Sequence, residues 1–396
     1  MRSLNRLAVL AVANLALVSG ITVVLPLLPE LQEQNGLSTT QLGIVAGVSF
    51  FAGLVGQLGL ARYVDRGYAR HLLIAAAITT AISLVGISLA RGLWDLVAAR
   101  FVEGLGYAMF TPAARTVVAA HDPSRMGTNL GRLSGAELAG VVVGPMLGAI
   151  LAQAFGLHVP FLVLAVVMLA LLPLLWTLDL GHLEDRPIGT ASVRSMVRRP
   201  PVARAALLYM AMILPSGVYD VLWALYLTDR GASQSVVGLS FAIYALPYVA
   251  VAAFGAHVID RIGPLRASYW GLAVTLVPIL AYGLIHRPWV LIAVATIEGV
   301  ANAVSIPAAQ AAMVEACPPD EVGTGQGIAG AAGIGAAGVA AVCAAPLYDQ
   351  TNAFVTFAVT AAVMALAAVV AGLIGARSPA RWVALSPSGS PRPQGD

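Results

Sequence analysis

The sequence EGLGYAMFTPAA at residues 103–114 recurs as EGVANAVSIPAA at residues 298–309, an offset of 195. The same offset maps the pair Asp65-Arg66 onto Asp260-Arg261. Self-similarity at a fixed offset indicates a duplication, so we expect each half of the chain to fold as a copy of one unit. A second match lies further along each copy at an offset of 196: Gly127, Thr128 and Gly131 against Gly323, Thr324 and Gly327.

The composition places both copies in a membrane. Of the 396 residues, 59% are hydrophobic and 10% are charged, and the mean hydropathy is +0.85. This leaves too little polar surface to cover a water-soluble domain of this size. Because one helical span needs about 20 apolar residues, a chain of this length can cross a bilayer about a dozen times.

Twelve hydrophobic runs, six in each half, predict an all-α membrane protein with twelve transmembrane helices in two six-helix bundles. We expect an N-terminal bundle at 1–178, a cytoplasmic linker at 179–202, a C-terminal bundle at 203–376 and a disordered cytoplasmic tail at 377–396. The runs lie near residues 7–28, 41–61, 72–90, 96–119, 133–155 and 159–178, and then 203–227, 236–258, 268–285, 289–314, 325–347 and 354–376.

The arginines predict the orientation of these helices. If both termini face the cytoplasm, 18 of the 22 arginines fall on cytoplasmic segments, and the outer turns hold only Arg91, Arg230 and Arg287. Such an asymmetry follows the positive-inside rule. We therefore expect a multi-pass protein of the inner membrane with both termini in the cytoplasm.

Several function classes find no support in the sequence. The chain contains no lysine, which removes the phosphate-binding loop of ATP-driven pumps, and its arginines sit in turns, where orientation explains them better than nucleic-acid binding. Two cysteines and six scattered histidines show no metal-ligand spacing, so no metal or other cofactor is expected. A membrane-embedded lipid-modifying enzyme stays open as an alternative, although no HxxxxD, HExxH or GxSxG pattern is present.

The fourth run contains RFVEGLGYA, residues 100–108, with two charged residues inside a predicted span. At about 100° per residue, Arg100, Glu103, Tyr107 and Thr111 fall on one side of the helix, where lipid would reject them and a water-filled cavity would accept them. The alternative is a permanent buried pair of Arg100 with Glu103 that only fixes helix packing. The repeat places Glu298 at the position equivalent to Glu103.

The fifth run contains GVVVGPMLGA, residues 140–149. Its glycines, Gly140, Gly144 and Gly148, are four residues apart and share one helix face, which allows another helix to approach closely. Pro145 removes one backbone hydrogen bond and permits a bend. The alternative is ordinary tight packing in a glycine-rich protein.

Together with the turn after the second run, these motifs resemble the major facilitator superfamily and, within it, the twelve-helix drug:proton antiporters. The match to RxxxGxGxA is complete, and in GxxxGPxxGG only the final glycine is replaced, by Ala149. The turn keeps its Asp-Arg pair and later arginine but has Ala61 and Tyr68 at the two glycine positions. The resemblance implies a gate between the halves, formed by Asp65, Arg66, Arg70, Asp260 and Arg261.

The resemblance also implies a secondary active transporter that exports small hydrophobic or amphipathic compounds by alternating access in exchange for protons. Uptake or exchange of a metabolite or sugar is the alternative. The expected partners are a small-molecule substrate, protons and the lipid bilayer, with no nucleic acid and a monomeric chain. Proton-coupling candidates are Glu103, Asp220, Arg100, Glu137 and Glu298, and substrate-cavity candidates are Asn14, Tyr107, Tyr219, Trp223, Tyr226 and Asn302.

The orientation can be tested by labelling. In a background lacking Cys317 and Cys343, cysteines introduced at Ser192 in the linker and Ser233 in an outer turn should react with an impermeant maleimide from opposite sides of the membrane. Labelling of both positions from the same side would contradict the predicted topology.

Overall fold

The computed structural model describes residues 2–63, 68–121, 126–178, 193–318 and 321–376, which are helical apart from short turns and contain no β-strand. They form twelve long helices. These are α1 Arg2–Thr22, α2 Thr39–Tyr63, α3 Ala69–Leu89, α4 Leu93–His121, α5 Met126–Phe155, α6 Val159–Ala170 with its continuation Leu172–Trp176, α7 Pro200–Thr228, α8 Gln234–Ile262, α9 Pro264–Tyr282, α10 Pro288–Glu315, α11 Val322–Gln350 and α12 Ala353–Ala376.

The twelve predicted helices agree with this architecture, with small differences at their ends. Helix α7 begins at Pro200 instead of residue 203, because proline fits the first turn of a helix. The short helices Leu28–Gln34 and Val193–Val197 were not predicted. Residues 179–192 of the predicted linker and the predicted disordered tail, residues 377–396, lie outside the described residues.

Ten of the helices in the described part are long and apolar enough to cross a membrane. Helix α4 is not among them, since it carries the charged residues Asp95, Arg100, Glu103 and Arg115. For α8, only the side chains outside 246–257 are described. The chain is therefore a multi-pass membrane protein in which one central helix bears unusual charge.

The two halves repeat the same packing. In the first half α1 packs on α5, α3 on α4, α2 on α4 and α3 on α6, and in the second half α7 packs on α11, α9 on α10, α8 on α10 and α9 on α12. Between the halves, α2 packs on α11 and α5 packs on α8. These two contacts are equivalent, because exchanging the halves turns α2 into α8 and α11 into α5. The repeat in the sequence therefore appears as a pseudo-twofold arrangement of helices.

Glycines show this equivalence at single residues. A Cβ atom added to Gly104 would collide with the carbonyl of Ser49, and one added to Gly299 would collide with the carbonyl of Tyr244. The two glycines are 195 residues apart, and so are the two residues whose carbonyls they approach. Gly36 and Gly231, also 195 apart, adopt positive φ angles of 60° and 80° in the turns before α2 and α8. Glycine adopts such angles without steric cost.

The third pair at this offset shows where the halves differ. Gly263 after α8 has a φ of 85°, whereas Tyr68 before α3 has a φ of −86°. The tyrosine replaces the glycine expected from the family pattern because the backbone of the first half does not need the left-handed conformation there.

The glycine face of α5 packs against α1. Cβ atoms added to Gly140 and Gly148 would lie 2.8 and 2.7 Å from the carbonyl oxygens of Leu15 and Val23, and one added to Gly144 would collide with α1 in the same way. The carbonyl of Pro145 lies on another side of α5 and would be 3.0 Å from a Cβ atom added to Gly238 of α8. The motif thus packs α5 on its own half and also on the other half.

In the described part of the chain, the close contact between α2 and α11 lies toward one end of the molecule. We call the end at which α1 begins and α12 ends the terminal end, and the opposite end the far end. Near the far end, a Cβ atom added to Gly43 would lie 2.7 Å from that of Ala345. Nearer the terminal end, Cβ atoms added to Gly59 of α2 and Gly330 of α11 would have no neighbour within 4 Å. The described parts of α2 and α11 therefore separate toward the terminal end, which leaves a cleft between these two helices there.

Cysteine cross-linking tests this asymmetry. A Cβ atom added to Gly338 would lie 3.1 Å from Phe50 Cβ, close to the separation of about 3.5–4.5 Å that a disulfide needs. The pair Phe50→Cys and Gly338→Cys, in a background lacking Cys317 and Cys343, should therefore oxidise readily in membranes. The pair Gly59→Cys and Gly330→Cys, nearer the terminal end of the same helices, is the matched control. Faster cross-linking of the control pair would contradict the closed far end.

Candidate functional site

Arg100 and Glu103 form a buried ion pair on α4. Their residues are 2% and 1% exposed, and the Arg100 Nη1 atom bonds the Glu103 Oε2 atom. The Arg100 Nη2 atom also donates to Ser49 Oγ of α2 at 2.9 Å. The Glu103 Oε1 and Arg100 Nε atoms have no hydrogen-bond partner among the described residues. The pair thus keeps unused donor and acceptor capacity inside the protein.

Asp220 lies across the interface from this pair. It is on α7 of the second half, within electrostatic range of Arg100 and Glu103. It is partly buried. Two acids from different halves therefore act electrostatically on one arginine.

Glu137 belongs to a second charged cluster, nearer the terminal end. It accepts hydrogen bonds from Tyr107 at 3.1 Å and from Arg115 at 3.5 Å, so the arginine of a neighbouring segment does pair with it. The side chains of Arg115 and Glu137 are 50% and 25% exposed. Tyr209 of α7 lies within electrostatic range of both. This partly exposed cluster thus brings together residues of α4, α5 and α7.

Glu298 is surrounded by neutral donors. Its carboxylate is 1% exposed and accepts from Tyr282 at 2.5 Å, from Tyr219 at 2.9 and 3.0 Å, and from Asn302 at 3.3 Å. Asn302 also donates to Tyr244 at 2.8 Å. The residue equivalent to Arg100 in this half is Ala295, so no arginine of its own helix pairs with Glu298.

Two aromatic residues predicted to line the cavity are instead in the interior of the second half. Trp223 donates to Ser240 at 2.9 Å, and its ring centroid lies 5.3 Å from that of Tyr282. Tyr226 is fully buried and donates to the carbonyl of Tyr282 at 2.5 Å. Both positions fall on the helix face that carries Tyr219, and this face packs onto α8 and α9.

The predicted amides also bind helices together. Asn14 of α1 is buried and donates to the carbonyl of Leu133 on α5 at 3.0 Å. Asn302 links α10 to α8, and its Oδ1 atom accepts from Thr275 of α9 at 3.2 Å. Tyr107, in contrast, reaches the charged cluster of Glu137.

The predicted gate is described in part. Asp65 and Arg66 lie outside the described residues. Arg70 donates to the carbonyl of Leu178 at 2.9 Å, which joins α3 to the end of α6. Asp260 and Arg261 are exposed at the terminal end of α8.

Several residues of these networks were not predicted from the sequence, among them Ser49, Arg115, Tyr244 and Tyr282. The repeat offset contained a signal for two of them. Ser49 and Tyr244 are 195 residues apart and each bonds a polar residue of the central helix of its half. Contacts from other helices, such as that of Tyr282 with Glu298, have no signature in local sequence.

Two pseudo-symmetric six-helix bundles, helices long and apolar enough to span a membrane and a buried ion pair on α4 are the features of a membrane transporter. The Major Facilitator Superfamily model matches residues 10–222 and 205–393. The chain belongs to this family, and it resembles the drug:proton antiporters within it. It is accordingly a transporter and not an enzyme.

Curated relatives and solved structures agree with this assignment. The chain is 25% identical over 309 residues to the multidrug resistance protein MdtG of Proteus mirabilis, which covers 74% of this chain and 76% of the relative. It is 23% identical over 315 residues to the mouse MFS-type transporter SLC18B1, and the match covers 74% of this chain and 67% of the relative.

Two solved structures show the same fold at lower identity. The nucleoside transporter NupG gives a TM-score of 0.76 at 9% identity, covering 95% of this chain and all of the other. An inward-facing bacterial homologue of the lysosomal transporter Spinster gives a TM-score of 0.73 at 15% identity, covering 93% of this chain and 96% of the other.

The buried ion pair predicts a rescue experiment. Arg100→Leu should lower the free energy of unfolding by about 3–5 kcal/mol, because it leaves the Glu103 carboxylate buried without its cation. The double variant Arg100→Leu with Glu103→Leu should recover most of this loss. Thermal unfolding in detergent measures both, and a double variant no more stable than the single one would contradict the pairing.

Proposed function

We propose that this chain exports small hydrophobic or amphipathic compounds from the cytoplasm in exchange for protons, by alternating access in the inner membrane. One observation carries the proposal: Glu103 and Asp220, from opposite halves, lie in electrostatic range of the same buried arginine. A site built from both halves changes when the halves move, which is what coupling of protons to transport requires.

The coupling step is a competition for Arg100. In the present arrangement, with the cleft open at the terminal end, Arg100 bonds Glu103 and Ser49. When the halves rock, Asp220 changes its distance from Arg100 and draws the guanidinium away from Glu103 or releases it. The carboxylate that loses the arginine then takes up a proton, since an uncompensated charge is costly in a membrane interior.

The wall of the cleft suits amphipathic compounds. Apolar residues dominate the helices, while Tyr107, Arg115, Glu137 and Tyr209 offer hydrogen bonds and charges near the opening. Glu137, exposed to the cleft, is a candidate for exchanging protons with the cytoplasm. Export is further supported by the multidrug resistance proteins among the relatives and by the helix-packing motif of α5.

The gate and the orientation belong to the same proposal. With the terminal end in the cytoplasm, the open cleft faces the cytoplasm, from which an exporter takes its substrate. Asp260 and Arg261 are exposed, as expected for a latch that engages, together with Asp65, Arg66 and Arg70, only when the terminal end closes. A single chain holds both halves of the cleft, so we propose a monomer as the working unit.

The proposal is tested in proteoliposomes with an imposed pH gradient and a panel of fluorescent amphipathic dyes. Glu103→Gln and Asp220→Asn should each lower proton-driven dye accumulation about tenfold, within the 5–150-fold range of typical coupling energies. Dye exchange without a gradient should persist, because the cleft stays intact. Glu315→Gln, at an exposed carboxylate near the end of α10, is the control and should transport normally.

Two outcomes would contradict the proposal. If both variants keep full accumulation and its pH dependence, these acids do not couple protons to transport. If the wild-type chain exchanges dyes or metabolites but never accumulates them against a gradient, an uptake or exchange carrier is the better assignment.

A further inference from the structure

Helix α7 presents two neighbouring polar residues to different halves of the molecule. Tyr219 bonds Glu298 inside the second half, whereas Asp220 lies in electrostatic range of Arg100 and Glu103 in the first half. Consecutive residues of an α-helix point about 100° apart. A rotation of α7 about its own axis would therefore change both the Tyr219–Glu298 bond and the distance of Asp220 from Arg100.

The stretch of α7 around Pro215 lacks a backbone hydrogen bond, and Tyr219 is the residue after it whose side chain bonds a neighbouring helix. Pro215 lies inside α7 and removes one backbone hydrogen bond. Gly217 follows, and its backbone packs so closely on Ala337 of α11 that no side chain would fit. Two residues later the Tyr219 hydroxyl spans both oxygens of Glu298, at 2.9 and 3.0 Å. Trp223 and Tyr226 continue this anchored face toward the far end.

The donors around Glu298 make this anchor sensitive to a proton. Tyr219, Tyr282 and Asn302 all donate to the carboxylate. An ionised carboxylate only accepts hydrogen bonds, but a protonated one must donate one. A proton on Glu298 therefore competes with a phenol donor. Among the described residues, Tyr244 of α8 is a further titratable group nearby, and it reaches Glu298 through Asn302.

We propose that Tyr219 and Glu298 are positioning residues, which hold α7 in the rotation that keeps Asp220 within electrostatic range of the Arg100–Glu103 pair. The acid of the second half thereby controls how the acid site between the halves is assembled. The inference rests on the proposed function, in which Asp220 and Glu103 compete for Arg100. It explains why the repeat keeps an acid at residue 298 without a partner arginine on its helix.

The test follows the carboxyl group of Asp220 directly. Purified protein in nanodiscs is titrated with acid and monitored by infrared difference spectroscopy, and Asp220→Asn identifies the Asp220 band. Tyr219→Phe removes the bond to Glu298 with little change in shape, and should move the midpoint of that band by about one pH unit, a tenfold change in proton affinity.

Tyr282→Phe is the matched control. It removes a phenol donor from the same Glu298 carboxylate, but from α9, and leaves α7 anchored. The midpoint of the Asp220 band should then move by less than about 0.3 pH units. An unmoved midpoint in Tyr219→Phe would overturn the inference, and so would an equal shift in both variants, since the charge of Glu298 and not the rotation of α7 would then be responsible.

A second variant guards against misfolding. If Tyr219→Phe does not fold, Glu298→Gln replaces the carboxylate with an amide that holds the phenol less firmly, and a shifted Asp220 band is again expected. An unchanged band in Glu298→Gln would overturn the inference. Proteoliposome transport separates the two proposals: a shifted band in a protein without proton-driven accumulation supports the positioning role and removes only the proposed function.

Discussion

A charge buried inside a membrane protein needs a partner, and the packing of α2 on α4 supplies partners for Arg100. The guanidinium is held by Glu103 of its own helix and Ser49 of α2, and it can reach Ser49 only because α2 and α4 are in close contact. Gly104 permits that contact, since any side chain there would collide with the α2 backbone. Helix packing and charge compensation therefore depend on the same few residues.

The duplication gave the two halves equivalent acids with different surroundings. Glu103 has Arg100 one turn away, whereas the position equivalent to Arg100 in the second half is Ala295. Phenols and an amide from four helices surround Glu298 instead. The Arg100–Glu103 pair is sensitive to changes in the position of nearby charges. The hydrogen bonds around Glu298 are sensitive to protonation of its carboxylate, because a protonated carboxyl must donate one. The two halves have thus acquired different chemistry on one packing pattern.

Small residues also determine which end of the molecule is closed. Gly43, Gly47 and Gly338 bring α2 and α11 into contact near the far end. Side chains as small as these bury little area, so the contact costs little to break. An interface of this kind is consistent with the alternating access that we propose.

The sequence by itself determined the helices, their number, the duplication and the charged stretch of α4, because these follow from hydropathy and a fixed repeat along the chain. It also placed Arg100 beside Glu103, since three residues span one turn. Only the tertiary structure decided that Asp220 comes within electrostatic range of that pair, that Trp223 and Tyr226 pack in the interior, and that Glu137 pairs with Arg115. A residue's partner on another helix depends on the rotation of both helices, which periodicity leaves undetermined.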